Sequence, residues 1–382
     1  MSFPKTAIKH FLGQLLCLFS RDRYILFESI PDYSDNTYPV FEELVNRGFD
    51  KKYTFVWACS QHTPLADAPE NTRYIYPGNK TLFQKLRSAY YMANAKCMIS
   101  CNRYLLPWRK DQQAFFLTHG TPIKNIRGYY TLPDSISHCL AASADMAEHT
   151  AYQHGFDPKK MFALGYPRND ILTQPAADIK KMLQTDCSKV IVWYPTFRQH
   201  RGGLTAGSGK ALPVIHDTDA AAALNQWAAE QDVLLVLKPH FAQDVSAIRD
   251  LQLSNIRFID DSFFTRHSIS SYGFVAGCDA LITDYSSIYF DYTLCDKPIG
   301  LVWEDLEAYR ENPGFALDMD ECGKGGVQIY TLEDFKAFLQ QVAQGNDPCR
   351  DARRKLRDKV NYAPDGNSTN RVTDFIIAQA DL

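Results

Sequence analysis

Four short strings hold residue types suited to phosphate chemistry, and each follows an apolar run of strand length. Thr118-His119-Gly120-Thr121-Pro122 follows the run at 114–117. Gly120 permits a tight turn and Pro122 ends the strand. His119 is left at a strand mouth, where an imidazole titrates near neutrality, with Lys124 and Arg127 just beyond it. A histidine followed by two cations suits an anionic substrate, and a structural turn histidine fits the same spacing. Tyr194-Pro195-Thr196-Phe197-Arg198 follows 190–193. It offers the Thr196 hydroxyl and, at Arg198, a fork of donors that matches phosphate, or reads as a plain strand exit with a solvated arginine. Lys238-Pro239-His240 follows 234–237 and places two groups that hold negative charge at one strand end. In the fourth and strongest string, 280–283 runs into Asp284-Tyr285-Ser286-Ser287 and then a helical pattern containing Asp291. Hydroxyls and unpaired N–H groups at a helix start suit an anion, and the helix dipole adds to them. N-capping alone accounts for one of these residues and leaves the cluster of Tyr, Ser and Asp unexplained.

The elements that must carry these strings alternate. Strand patterns fall at 24–27, 53–58, 97–100, 114–118 and 138–142, with helical patterns at 39–45, 82–92 and 144–154 between and after them. After Pro167 the rhythm restarts, with strands at 189–194, 233–237 and 280–283, helices at 220–230 and 287–294, and a terminal helix at 369–380. Alternating strands and helices argue for βαβ units and parallel sheets. Two such series predict two doubly wound domains, at 23–172 and 173–362, with 363–382 as a C-terminal helix. Ligands of such sheets collect at the carboxyl ends of strands, so a site drawing on both domains would be an interdomain cleft. The glycine-rich stretch 200–213 fails the spacing of a phosphate-binding P-loop and reads as a lid or a surface loop.

Composition narrows the class. The 382 residues carry 41 Lys+Arg against 44 Asp+Glu, a formal charge of −3, so a broad basic coat for nucleic acid is not expected. No apolar run approaches the ~18 residues that cross a bilayer. Residues 5–19 place Ile8, Phe11, Leu12, Leu15, Leu16 and Phe19 on one helical face, flanked by Lys5, Lys9, Arg21 and Arg23. Segment 1–22 is therefore either an amphipathic helix on an anionic membrane or a helix packed on its own domain. The ten cysteines are scattered without a CxxC pair and are read as reduced, mostly buried residues in a cytoplasmic chain; no metal site is assigned.

His119-Gly120-Thr121-Pro122-Ile123-Lys124, Tyr194-Pro195-Thr196-Phe197-Arg198, Lys238-Pro239-His240 and Thr283-Asp284-Tyr285-Ser286-Ser287-Ile288 together resemble the CDP-glycerol glycerophosphotransferase family. This is the teichoic-acid primase and polymerase family, which also includes capsule polymerases. Ser34-Asp35-Asn36, Gly165-Tyr166-Pro167-Arg168-Asn169-Asp170, Phe290-Asp291-Tyr292 and Lys297-Pro298 match as well, so the resemblance covers roughly 24–345. Two strings depart from the family pattern: Tyr194 meets Pro195 directly, and Pro239 precedes His240.

The resemblance implies a GT-B fold, two Rossmann-like domains facing across a cleft. It implies transfer of glycerol phosphate from CDP-glycerol to a hydroxyl of a lipid-linked glycan or polymer, with release of CMP. A peripheral place on the inner face of the cytoplasmic membrane follows, with no cofactor. By motif, His119 would be the base toward the acceptor hydroxyl, and His240 would contact the donor phosphates or assist the leaving group. Ser286 and Ser287 would hold the diphosphate. Asp284, Thr196, Arg198 and Lys238 are further donor-side candidates, and Lys124, Arg127, Tyr285 and Asp291 further cleft candidates. The rivals are a sister enzyme using CDP-ribitol, a GT-B glycosyltransferase using a nucleotide sugar, and a non-catalytic binding protein.

Overall fold

The computed structural model describes residues 22–61, 63–78, 81–196, 212–239 and 245–382. The amphipathic pattern at 5–19, most of the glycine-rich stretch, Arg198 and His240 lie outside the described residues.

The first sheet contains β1 (Tyr24–Glu28), β2 (Thr54–Ala58), β3 (Arg73–Ile75), β4 (Ala95–Ser100), β5 (Gln113–Phe116), β6 (His138–Ala141) and β7 (Met161–Ala163). They lie in the order β3-β2-β1-β4-β5-β6-β7, and every pairing is parallel. The second sheet contains β8 (Lys189–Trp193), β9 (Val233–Leu237), β10 (Ile256–Phe258), β11 (Ala280–Thr283), β12 (Ile299–Val302) and β13 (Val327–Ile329). Its order is β10-β9-β8-β11-β12-β13, again parallel throughout. Central strands read as unbroken apolar runs because helices cover both faces of a parallel sheet. β9, Val-Leu-Leu-Val-Leu, is buried at every position. Full burial of each such side chain is worth about 1.5–3 kcal/mol relative to exposure.

Contacts divide the chain into two units. The first runs to Thr121 and adds Tyr130–Asp170 and Asp365–Leu382; the second holds Pro122–Tyr129 and Ile171–Pro364. In the first, the helix Ser368–Ala380 buries Val372, Ile376 and Ala380 in the core that holds Phe27, Phe41 and Trp57. Its N-cap, Asn367, makes no capping bond. Asp170 takes that role, accepting from the backbone N–H of Ser368 at 2.8 Å and of Thr369 at 2.7 Å. In the second unit the segment after Pro122 is held by a backbone clasp. Asn125 donates to the Gly314 carbonyl at 3.0 Å and Ala316 to that of Ile123 at 2.8 Å.

The strand order reverses between β1 and β4 in the first sheet and between β8 and β11 in the second. Each reversal opens a crevice at the carboxyl ends of its strands. The string after β8 and the one after β11 border the second reversal, and Lys238, after β9, is one strand away.

Candidate active site

In the first unit His119 leaves the end of β5 as an exposed side chain on a half-buried turn. Its Nδ1 lies 3.3 Å from the carbonyl oxygen of Cys101, just past β4. A carbonyl only accepts, so this contact assigns the proton to Nδ1 and leaves the lone pair on Nε2. The backbone that aims the ring is unusual. Thr118 is buried at φ +51° and Gly120 lies at φ +131°. Left-handed backbone is sterically costly for a β-branched residue, whereas Gly120 meets no such penalty. Nearby, Glu28 at the end of β1 is 1% exposed. It accepts from the backbone of Asn102 at 3.1 Å and Arg103 at 2.9 Å, and burial raises its pKa. His154 is also buried. Burial first, then the neighbouring His119 and His149, bring its pKa down to about 4.

The second unit gathers the remaining strings. Asp284 is fully buried, and its two oxygens accept from the backbone N–H of Thr196 at 2.9 Å and of Tyr285 at 2.6 Å. The Thr283 hydroxyl donates to the Tyr194 carbonyl at 3.0 Å. The β8 and β11 exits are thus tied together side by side. Ser286 and Ser287 follow, both half-buried, at the start of a helix that is shorter than its pattern suggests. Ile288–Tyr292 is α-helical and Thr293–Cys295 tightens into a 3₁₀ turn, because the Thr293 hydroxyl takes the Phe290 carbonyl at 2.6 Å. Ser287 is its N-cap and makes no side-chain capping bond. With so few aligned peptides the dipole is small, and the hydroxyls are the main attraction for an anion.

Lys238 places Nζ 3.1 Å from Asp261, a carboxylate 79% exposed, and 5.8 Å from the ring centre of Tyr194. Tyr285 is buried, donates its hydroxyl to Asp305 at 2.8 Å, and stacks on Tyr309 at 3.7 Å. Tyr309 stacks in turn on Phe315 at 5.4 Å, and Lys124 Nζ stands 5.9 Å from the Tyr309 ring. Lys124 therefore belongs with the Tyr285 stack, and Arg127 is exposed on the same segment. Asp291 faces inward, 2% exposed, and accepts from the Tyr272 hydroxyl at 2.6 Å. Two Asp-x-Asp pairs elsewhere in the unit cap helices. Asp217 accepts from the Ala220 N–H, and Asp318 from those of Asp320 and Glu321.

Sequence reasoning assigned no role to Asp35, Asn36, Arg168, Asp305 or Tyr309, all of which touch these elements. For Asp35, Asn36 and Arg168 the signal was that Ser34-Asp35-Asn36 and Gly165–Asp170 match family strings without a role attached; Asp305 and Tyr309 carried none.

Comparison with known proteins follows the same lines. The chain is 24% identical over 387 residues to the teichoic acid poly(glycerol phosphate) polymerase of Bacillus spizizenii, covering 93% of this chain and 92% of that protein. It is 24% identical over 319 residues to the teichoic acid ribitol-phosphate primase of the same organism, covering 76% of each. The solved structure of the wall teichoic acid polymerase TagF superposes with a TM-score of 0.70 at 20% identity, covering 99% of this chain and 97% of that one. This supports a GT-B fold. The sequence profile described as CDP-glycerol:poly(glycerophosphate) glycerophosphotransferase matches residues 11–378. The chain belongs to that family of glycerophosphotransferases.

Proposed function

We propose that this chain transfers glycerol phosphate from CDP-glycerol to a hydroxyl of a membrane-linked glycan or polyol-phosphate, in the synthesis of a teichoic-acid-like wall or capsule polymer. His119 Nε2 takes the proton of the acceptor hydroxyl, whose oxygen attacks the β-phosphorus. The bond from that phosphorus to the bridging oxygen breaks, and CMP departs with the electron pair. Such a base contributes about 10²–10⁴-fold. The Ser286 and Ser287 hydroxyls, Thr196, Arg198 and Lys238 meet the charge of the diphosphate, with His240 on the leaving side. Positioning and charge neutralisation of this kind dominate phosphoryl transfer, and protein groups rather than a metal supply them. Asp284 acts by fixing the turn that presents the serines, and Tyr285 and Asp291 by anchoring the elements on either side of them. Lys124 and Arg127 add positive potential from the 122–129 segment.

The observation that carries this reading is the ring of His119, held through Nδ1 on the Cys101 carbonyl with Nε2 left to accept a proton. The test is CMP release from CDP-glycerol, CDP-ribitol and a UDP-sugar against a panel of polyol-phosphate and lipid-linked acceptors. CMP from CDP-glycerol is expected. A preference for CDP-ribitol would replace the donor, a reading favoured by the likeness to the ribitol-phosphate primase. Release of UDP alone would overturn the class.

A peripheral place on the inner membrane face is supported by the helix Leu82–Asn94. Leu82, Phe83 and Leu86 are 73%, 71% and 57% exposed. The helix itself carries Lys85 and Arg87 and no Asp or Glu. Exposed apolar side chains among cations suit an anionic lipid surface. Among the described residues no helix is long and apolar enough to cross a membrane. Flotation with anionic but not zwitterionic vesicles is the expected outcome.

A further inference from the structure

We propose that Asn36 and Arg168, joined through Asp35, form a clamp that positions His119, an inference that rests on the reading of His119 as the base. Three successive carbonyls of the turn are taken by these two side chains. Asn36 Nδ2 donates to the carbonyl of Leu117 at 3.0 Å and of Thr118 at 3.1 Å. Arg168 Nη1 donates to the carbonyl of His119 itself at 2.9 Å.

The two clamp residues are also locked to each other. Asn36 Oδ1 accepts from the Arg168 backbone N–H at 3.2 Å. Asp35 Oδ1 accepts from Arg168 Nη1 at 2.8 Å and from the Asn36 backbone N–H at 2.8 Å. Asn36 is fully buried, and the side chains of Arg168 and Asp35 are 10% and 12% exposed, so solvent competes little for these bonds.

Two features separate this clamp from ordinary packing. Asn36 is the N-cap of the helix Thr37–Asn46, where an asparagine normally accepts from the first turn, yet it makes no capping bond. Its amide is directed instead to a turn 81 and 82 residues away. Of the two residues whose carbonyls it holds, Thr118 lies in left-handed backbone, as Asp35 of the clamp does at φ +56°. Such a conformation persists only where its surroundings over-determine it. A second anchor, the Thr118 hydroxyl on the Leu140 carbonyl at 3.3 Å, fixes the same residue from the β6 side. The clamp sets the direction in which the His119 ring leaves the backbone, and the Cys101 carbonyl then sets its rotation. Arg168 suits its place because Nη1 alone gives both bonds, to a carbonyl and a carboxylate, with its hydrogens held in the guanidinium plane, a direction that a lysine ammonium on a flexible stem does not keep.

The test uses the full chain with CDP-glycerol and CMP release as readout. Asn36→Asp keeps the shape and the acceptor but loses the amide donor; Arg168→Lys keeps the charge but loses the planar guanidinium that directs the two Nη1 bonds. Each is made in the native background and with His119→Ala. In the native background both should lower kcat about 10–100-fold, the scale of a small misplacement of a reacting group, with KM for CDP-glycerol unchanged. With His119→Ala present, the same two substitutions should cost less than about two-fold, because residues acting through one group are not additive. Equal fold-losses in both backgrounds would overturn the clamp and leave a general structural role. An unchanged kcat in folded native-background variants would overturn it as well.

A second measurement does not depend on residual turnover. Nitrogen-15 histidine spectra should show His119 protonated at Nδ1 in the native chain and a mixture of tautomers in both variants. One unchanged tautomer in both variants would count against the clamp. Absence of CMP release by the native chain would instead remove the reading of His119 itself, a failure distinct from that of the clamp.

Discussion

The His119 turn in the first unit and the serine turn in the second are held in different ways. At His119 the carbonyls of residues 117, 118 and 119 are bonded to buried or nearly buried side chains, and the ring rests on a fourth carbonyl. At the serine turn the backbone is tied from beneath by Asp284, while Ser286 and Ser287 stay half-buried and Lys238 rests on an exposed carboxylate. The difference fits the two tasks proposed for these turns. A base must point along one line toward one proton, so its freedom is removed before substrate arrives. A diphosphate is a diffuse double charge, and hydroxyls and ammonium groups that rotate or exchange partners meet it without a fixed geometry.

The sharpest way to break this contrast is His119→Ala. It should lower kcat for CMP release by about 10²–10⁴-fold while leaving the Kd for CDP-glycerol unchanged. A parallel loss of donor affinity would mean that the imidazole holds the donor, and the division of labour between the units would fail.

The next largest effect concerns a buried histidine of the first unit. His154 is 4% exposed and its pKa falls to about 4, chiefly through burial. Between pH 6.5 and 4 the unfolded chain binds a proton at this position that the folded chain refuses, so stability falls as pH falls through that window. The loss at its acid end is about 3 kcal/mol from this residue. Urea unfolding at pH 7.5 and pH 5 should show the drop, and His154→Leu should shrink it. An unaltered pH dependence in the variant would place the acid sensitivity elsewhere.

On the donor side, Asp284→Ala removes the acceptor for two backbone N–H groups at once. A loss of about 1–3 kcal/mol in unfolding free energy is expected, with a raised KM for CDP-glycerol. A raised KM at unchanged stability would make Asp284 a ligand of the donor instead of the fixture of its turn.

Much of this architecture was legible in the sequence because apolar periodicity survives without tertiary information. β9 and β11 follow their patterns residue for residue, and the C-terminal helix lies within one residue of its pattern. The strands that escaped are short, and most lie at sheet edges. β3 and β13 have three residues each with one buried position, too few to display a period of two. β12 contains Gly300, which weakens its strand signal, and the structure shows why it is glycine. A Cβ there would stand 2.8 Å from Ile329 Cδ1. The strings around His119 and Ser286 were legible as chemistry, since residue type and a strand end suffice to raise the question. The partners of His119 were not. Asn36 and Arg168 act across 82 and 49 residues of sequence, and no local pattern encodes a contact of that span. Lys124 shows the converse. It follows His119 by five positions, yet its ring partner is Tyr309 in the second unit.

The smallest expected effect tests the looseness of the donor side directly. The Lys238–Asp261 pair at 3.1 Å involves a carboxylate 79% exposed, and pairs of that kind contribute at most about 1 kcal/mol. Asp261→Asn should therefore leave the unfolding midpoint nearly unchanged. It also frees the ammonium from its partner, so the Kd for CDP-glycerol should fall about two- to five-fold at low ionic strength, and the gain should fade as salt screens the charge. Lys238→Ala should move the Kd in the opposite direction. If Asp261→Asn instead weakened donor binding, the carboxylate would be aiming the lysine as the Asn36–Arg168 clamp aims the histidine. The two turns would then be built on one principle, with direction fixed for the imidazole and the ammonium alike.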